Sequence, residues 1–377
     1  MSKHTQGFSL VELMVAVLIS IVILAGVGTA FLSQRQVKIS ADTQSQLQNS
    51  ENAISAILGP AIRGAGFAGC ESLGPQSASL IKNPSAKLYN FQSAVFGYDA
   101  NNTAGSGSFA TASDNAANDI TAGHWTPVLD STLTAPVGGW VERGSDVLIV
   151  MGAIPGALPL PVTAFSTSST TLTVQANAVN QFTNVIPAVA AGSIGALSDC
   201  GKAHVFQITS VSGATLFFAP NVGSPGNTAT IPAAFTYKAG AQFIPMVQTV
   251  FFVGKGTGTQ SSLYKAIMIN GAWAPKQELV PGIENMQILY GVGASGNNTK
   301  WVPAGSVTDW TVVNAIQLAF LVEGGPSANA AGLSQTDGGV LAGCSGWALL
   351  RTCVTVPSDG QLRHVYTMTV TIRNAQL

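Results

Sequence analysis

Residues Phe8 to Leu32 read FSLVELMVAVLISIVILAGVGTAFL, an apolar run of 25 residues carrying one charge, Glu12. As a helix it spans roughly 38 Å at about 1.5 Å per residue, enough to cross a bilayer core of about 30 Å. A secretory signal shows a shorter run with a small-residue cleavage site behind it. Here the run is too long, and no A-x-A site follows. The polar stretch before it, MSKHTQG, is short and ends in glycine. Lys3 lies on one side and Arg35 and Lys38 on the other, so charge counting leaves the topology open. Glu12 is the anomaly. An acid inside an apolar span costs about 2.5–3.5 kcal/mol on insertion scales, so it usually has a partner or a function. The bland alternative is a carboxylate that snorkels to the headgroups from near the end of the span.

Gly7-Phe8-Ser9-Leu10-Val11-Glu12 resembles the type IV prepilin cleavage motif. That motif is a glycine, a phenylalanine, a short apolar run and a glutamate as fifth mature residue. The resemblance implies that a prepilin peptidase cuts between Gly7 and Phe8 and that Phe8 becomes N-methylated. Glycine suits the cleavage position, because a residue without Cβ lets the backbone enter a tight active site. The resemblance also gives Glu12 an assembly role. Cleavage exposes an α-amino group at Phe8 whose ordinary pKa is near 8. In an apolar filament core, Glu12 of one subunit then meets that positive terminus on a neighbour, and pairing offsets two desolvation costs. The implied organisation is a leader at 1–7, a transmembrane and filament-core helix at 8–32, an amphipathic continuation at 33–58 and a head at 59–377.

The helical pattern continues beyond the apolar run. Leu47, Ile54, Ile57 and Leu58 share one side, while Gln44, Gln48, Glu51 and Ser55 occupy the other. Gly59-Pro60 is expected to end this helix or kink it hard. Phe8 to Leu58 is then a rod of about 75 Å. Beyond it the chain reads mainly as β, with Val205–Val211 and Thr215–Ala219 flanking a hairpin turn at Ser212-Gly213. Val247–Val253, Tyr264–Ile269 and Ala315–Val322 are further strands rich in Val, Ile, Phe and Tyr. Residues 71–143, dominated by Ser, Ala, Gly and Asn with no clear period, read as an insertion or an exposed loop region. The expected fold class is α+β: a long N-terminal helix packed on a β-rich head, an outline that resembles a type IV pilin. Unlike many major pilins, the chain has no proline in the apolar half, only Gly26 and Gly28.

Four patches resemble PilW-type minor pilins: Ala61–Cys70 after the helix, the buried strand Gly144–Val150, Glu278–Gly291, and the closing strand His364–Asn374. The resemblance implies a minor pilin for type IV pilus assembly, in the initiating or tip complex. It is held in the inner membrane with its head in the periplasm, and then reaches the pilus and cell surface. Implied partners are other minor and major pilins, the prepilin peptidase and an inner-membrane assembly platform with its ATPase, with a tip adhesin as a further candidate. One alternative is a J-type pseudopilin of type II secretion, which shares the N-terminus but usually has a smaller head. Another is an adhesin or binding module displayed on the pilus, with Trp125, Trp140 and Trp273 as stacking platforms, although core packing is their default.

Composition narrows the rest. Charged residues make up 9% of the chain, against about 25% in a typical domain, and the formal net charge is −1. With 46% hydrophobic residues the chain is not disordered in composition. With 16 Lys plus Arg and no basic cluster, nucleic acid is not an expected partner. No G-x-S-x-G elbow, Walker A motif or H-E-x-x-H is present, and Gly254–Gly258 lacks phosphate-loop spacing, so no enzyme and no cofactor is expected. His124, His204 and His364 are scattered and unframed by acids or cysteines, so no metal site is expected. Asp114 and Asp119 lack EF-hand spacing. Four cysteines without a CxxC pair suit two disulfides in an oxidising compartment, and three connectivities are open. The preferred pairing is Cys70–Cys200 and Cys344–Cys353.

Overall fold

The computed structural model describes residues 10–374 except 74–76, 84, 101–107, 111–123, 134–140, 143, 176–188, 238–239, 257–259, 294–299, 327–346 and 356–360. The apolar run and the amphipathic segment after it form one helix, α1 (Leu10–Arg63), about 81 Å long at 1.5 Å per residue. It does not stop at Gly59-Pro60. Pro60 lies on an exposed side of the last turns, where a carbonyl one turn back can tilt toward water, and Ile62 is fully buried beyond it. Burial of that last apolar side chain holds the final turn despite the missing N–H.

The strands that build the head's framework, in chain order, are β1 (Val95–Ala100), β2 (Val147–Ala153), β3 (Ile194–Ser198), β4 (Ala203–Gln207), β5 (Gln242–Lys255), β6 (Ser261–Ile269), β7 (Ile283–Val292), β8 (Val313–Pro326) and β9 (Gln361–Thr371). Their Val, Ile, Phe and Tyr content suits a pleated, half-buried surface. The long strand β5 is the hub of the larger sheet. It pairs antiparallel with β3 through Met246–Ile194, with β2 through Phe251–Leu148 and with β6 through Val250–Ala266. β1 continues the sheet beyond β2, and β4 continues it beyond β3. A second sheet has the order Lys300–Val302, β7, β8, β9, all antiparallel.

The stretch read as an insertion is drawn into the core in its described parts. All of β1 is buried, and Phe91, Phe96, Tyr98 and Trp125 pack with Ile149, Val250 and Phe252 between the strands. Small residues had masked these scattered apolar anchors. The stretch Val205–Val211 is not one strand either. β4 ends at Gln207, and a separate hairpin pairs Ser210–Ser212 with Thr215–Phe217 across Gly213, whose φ of 59° favours glycine. That hairpin belongs to a side lobe whose aromatic core contains Phe206, Phe218 and Phe243.

The two sheets are spliced by polar groups just before β2. Asn285 and Gln287 both donate side-chain N–H to the Gly144 carbonyl, at 3.0 and 2.7 Å. The Asp146 carboxylate accepts the Ala100 N–H at 2.9 Å on one oxygen and the Ile288 N–H at 2.8 Å on the other. One buried side chain thus ties β1 to β7.

Candidate assembly interface

α1 divides into two halves by what its side chains meet. From Leu10 to Lys38 every residue is exposed, including Leu13, Val17, Leu18, Ile21, Leu24 and Phe31. So large an apolar surface on a folded chain marks contact with lipid or protein. This segment is long and apolar enough to cross a membrane. Glu12 sits in its first turn, where negative charge complements the helix dipole. Gly7 and Phe8 lie outside the described residues.

From Thr43 onward the helix docks on the head. Leu47, Ile54, Leu58 and Ile62 pack with Ile316, Leu318, Phe320 and Val322 of β8 and with Ile283, Met286 and Ile288 of β7. Of the residues expected on this face, Ile57 is only partly buried, while Thr43, Gly59 and Ile62 join it. Gly324 permits close approach: a Cβ there would stand 2.6 Å from Leu47 Cγ. On the polar side, Glu51 is paired rather than solvated, its carboxylate 2.6 Å from His364 Nδ1 on β9. Nothing in the local sequence pointed to that pair, because its members are 313 residues apart.

The helix end is held equally closely. The Arg63 carbonyl accepts the Arg373 N–H at 3.2 Å, and Asn374 donates its side-chain amide to the Ala65 carbonyl at 3.2 Å. Gly66 donates its N–H to Met151 at 2.7 Å with φ of 74°, and a Cβ there would lie 2.8 Å from that of Ala94. A few residues on, a disulfide joins Cys70 to Cys200 in the turn between β3 and β4, with Cα atoms 4.4 Å apart. Cys353 is also disulfide-bonded, and the partner expected for it, Cys344, lies outside the described residues.

The remaining candidates fall into structural roles. Trp125 is buried and donates Nε1–H to the Ser145 carbonyl, and Trp273 donates to the Thr132 carbonyl. Trp140, Asp114, Asp119 and part of Gly254–Gly258 lie outside the described residues. Gly256 donates to the Gln260 carbonyl in the turn joining β5 to β6. His204 is buried against the Tyr237 hydroxyl. Among the described residues no three His, Cys, Asp or Glu side chains are grouped to hold a metal ion.

Comparison with known proteins agrees with this geometry at both ends of the chain. The family described as Type IV Pilus-assembly protein W matches residues 250–374, which carry the end of β5 and all of β6 to β9. The prokaryotic N-terminal methylation motif matches residues 2–28. No curated protein matches the chain. Among solved structures, a type IV-like pilin from Thermus thermophilus is similar at 16% identity, over 50% of this chain and 88% of that one, with a TM-score of 0.25. With an N-terminal methylation motif on a bare apolar helix, and a PilW match over the sheet that carries its second half, the chain is a PilW-like type IV prepilin, a minor pilin of type IV pilus assembly.

Proposed function

We propose that the chain is cut between Gly7 and Phe8, methylated at Phe8, and stored in the inner membrane by residues 8–32 with its head in the periplasm. A prepilin peptidase performs the processing, and an inner-membrane platform then passes the subunit into the initiating or tip complex of the pilus. The observation behind this reading is the division of α1: an apolar half with every side chain exposed runs without a break into a half clamped on the head. The exposed half can exchange lipid for neighbouring helices, at little net change in apolar burial, while the head stays folded. Glu12 supplies register in that exchange by pairing with the Phe8 terminus of a neighbour.

Mass spectrometry of the mature N-terminus, on membranes and on filaments sheared from cells, tests the reading. A chain starting at N-methylated Phe8 in the sheared fraction is the expected result. An intact Met1 terminus, or mature protein confined to membranes, would leave an anchored binding protein as the better account.

A further inference from the structure

Between the end of the apolar run at Leu32 and the first buried side chain at Thr43, α1 crosses a short neck. Its residues from Ser33 to Lys38 are all exposed, so the head does not cover them. Charged residues make up only 9% of the chain, yet two bases, Arg35 and Lys38, fall in this one stretch. At a spacing of i and i+3 they stand on the same side of the helix. Neither is held by an acid. The ion pairs of the described residues are Lys202–Asp199, Arg363–Glu284 and His364–Glu51, and Asp42, one turn beyond Lys38, takes no part in them.

Depth decides what these two side chains can meet. With the middle of Phe8–Leu32 at the bilayer centre, the backbones of Arg35 and Lys38 stand about 22 Å and about 27 Å away, at about 1.5 Å per residue. The hydrocarbon ends about 15 Å from the centre, and the headgroups end about 22 Å from it. Side chains on a helix lean toward its N-terminus and cover the preceding turn. The neck leaves the apolar run in the C-terminal direction, so both side chains lean back toward the lipid by about one turn of 5.4 Å. The guanidinium and the ammonium then fall about 17 to 22 Å from the centre, inside the headgroup layer. The anion of that layer is the lipid phosphodiester. Arginine meets it with a fork of donors and lysine with a point charge.

We propose that Arg35 and Lys38 form a phosphate clamp, which seats the stored subunit on lipid headgroups of the leaflet nearest its head. The inference rests on the membrane-storage reading, since a chain outside a bilayer has no headgroups beside its neck. The two charge-assisted contacts fix the depth of α1, and both break when the helix passes from lipid into a filament.

The test reconstitutes the full chain in vesicles of phosphatidylcholine and in vesicles of digalactosyl diacylglycerol. Both surfaces are uncharged, and only the first carries phosphate. Acylation of Lys38 and phenylglyoxal modification of Arg35 are followed by mass spectrometry, with exposed Lys300 on the head as the reference. In phosphatidylcholine Arg35 and Lys38 should react about fivefold more slowly than in the galactolipid, while Lys300 reacts equally in both. Equal rates at Arg35 and Lys38 in the two lipids would overturn the clamp. So would equal slowing at Lys300, which would mean general shielding by the vesicle. Inorganic phosphate that protects both side chains equally well in the galactolipid would assign them to free phosphate and overturn the lipid as partner. A lipid-soluble carbene probe, run alongside, reads the premise by labelling Leu10–Leu32. Labelling with equal modification rates would remove the clamp alone, whereas no labelling in either vesicle would remove the membrane reading with it.

Discussion

Asp99 and Asp146 stand across from each other where β1 meets the start of β2, because the Tyr98–Val147 pair continues into them. Both are almost wholly buried. Burial pushes the Asp99 carboxyl up to about 7. Asp146 is raised well above the usual carboxylate range, by burial first and by Asp99 second, against the pull of its two backbone N–H bonds. A group protonated in the fold up to about 7, but only to about 3.9 when unfolded, stabilises the protein fully below the lower value. That contribution is lost as pH rises toward the upper one. Replacing Asp99 with Asn removes the titration. Denaturant unfolding should therefore show Asp99→Asn gaining on the wild-type chain between pH 5 and pH 8, by on the order of 2 kcal/mol. An unchanged difference across that range would contradict the assignment. No sequence pattern revealed this pair, because Asp99 and Asp146 become neighbours only through strand register.

At the scale of elements, α1 was readable because two periodicities follow each other in one stretch: an unbroken apolar run, then a stripe at Leu47, Ile54 and Leu58. Both are local properties. The strands β2, β5, β6 and β8 were readable for the same reason, as local apolar and β-branched segments, whereas β9 was reached through its resemblance to a closing strand. β1 was not, because Val95, Phe96 and Tyr98 are interleaved with glycine and aspartate, and their burial depends on partners far away in sequence. Pro60 misled in the other direction: local preference favoured a stop, and the docking of Ile62 overrode it. The helix–head joint itself is chiefly apolar, so truncating its centre should be felt more than cutting its ion pair. Leu58→Ala should cost about 2–5 kcal/mol of stability. His364→Ala should cost no more than about 1 kcal/mol, given that its side chain is 46% exposed. Hydrogen exchange should show Leu47–Ile62 losing protection in Leu58→Ala; equal losses in both variants would contradict a core-dominated joint.

For the whole molecule, the Cys70–Cys200 bond sets how the chain answers to tension. A load applied along α1 enters the head just after Arg63. Tension reaching Cys70 crosses to Cys200 through the covalent bridge, so the intervening chain, at a sequence separation of 130, drops out of the path. That shielded length includes β1, β2 and β3, whose strands can hold their positions while their neighbours are strained. At about 3.5 Å per residue, the bridge conceals roughly 45 nm of extensible chain. Pulled by its ends in an optical trap, the oxidised protein should unfold with a contour length shorter than that of a Cys70→Ser/Cys200→Ser chain by that amount. In working terms, the disulfide is a safety strap that limits how far an overloaded subunit can pay out before it either recoils or lets go.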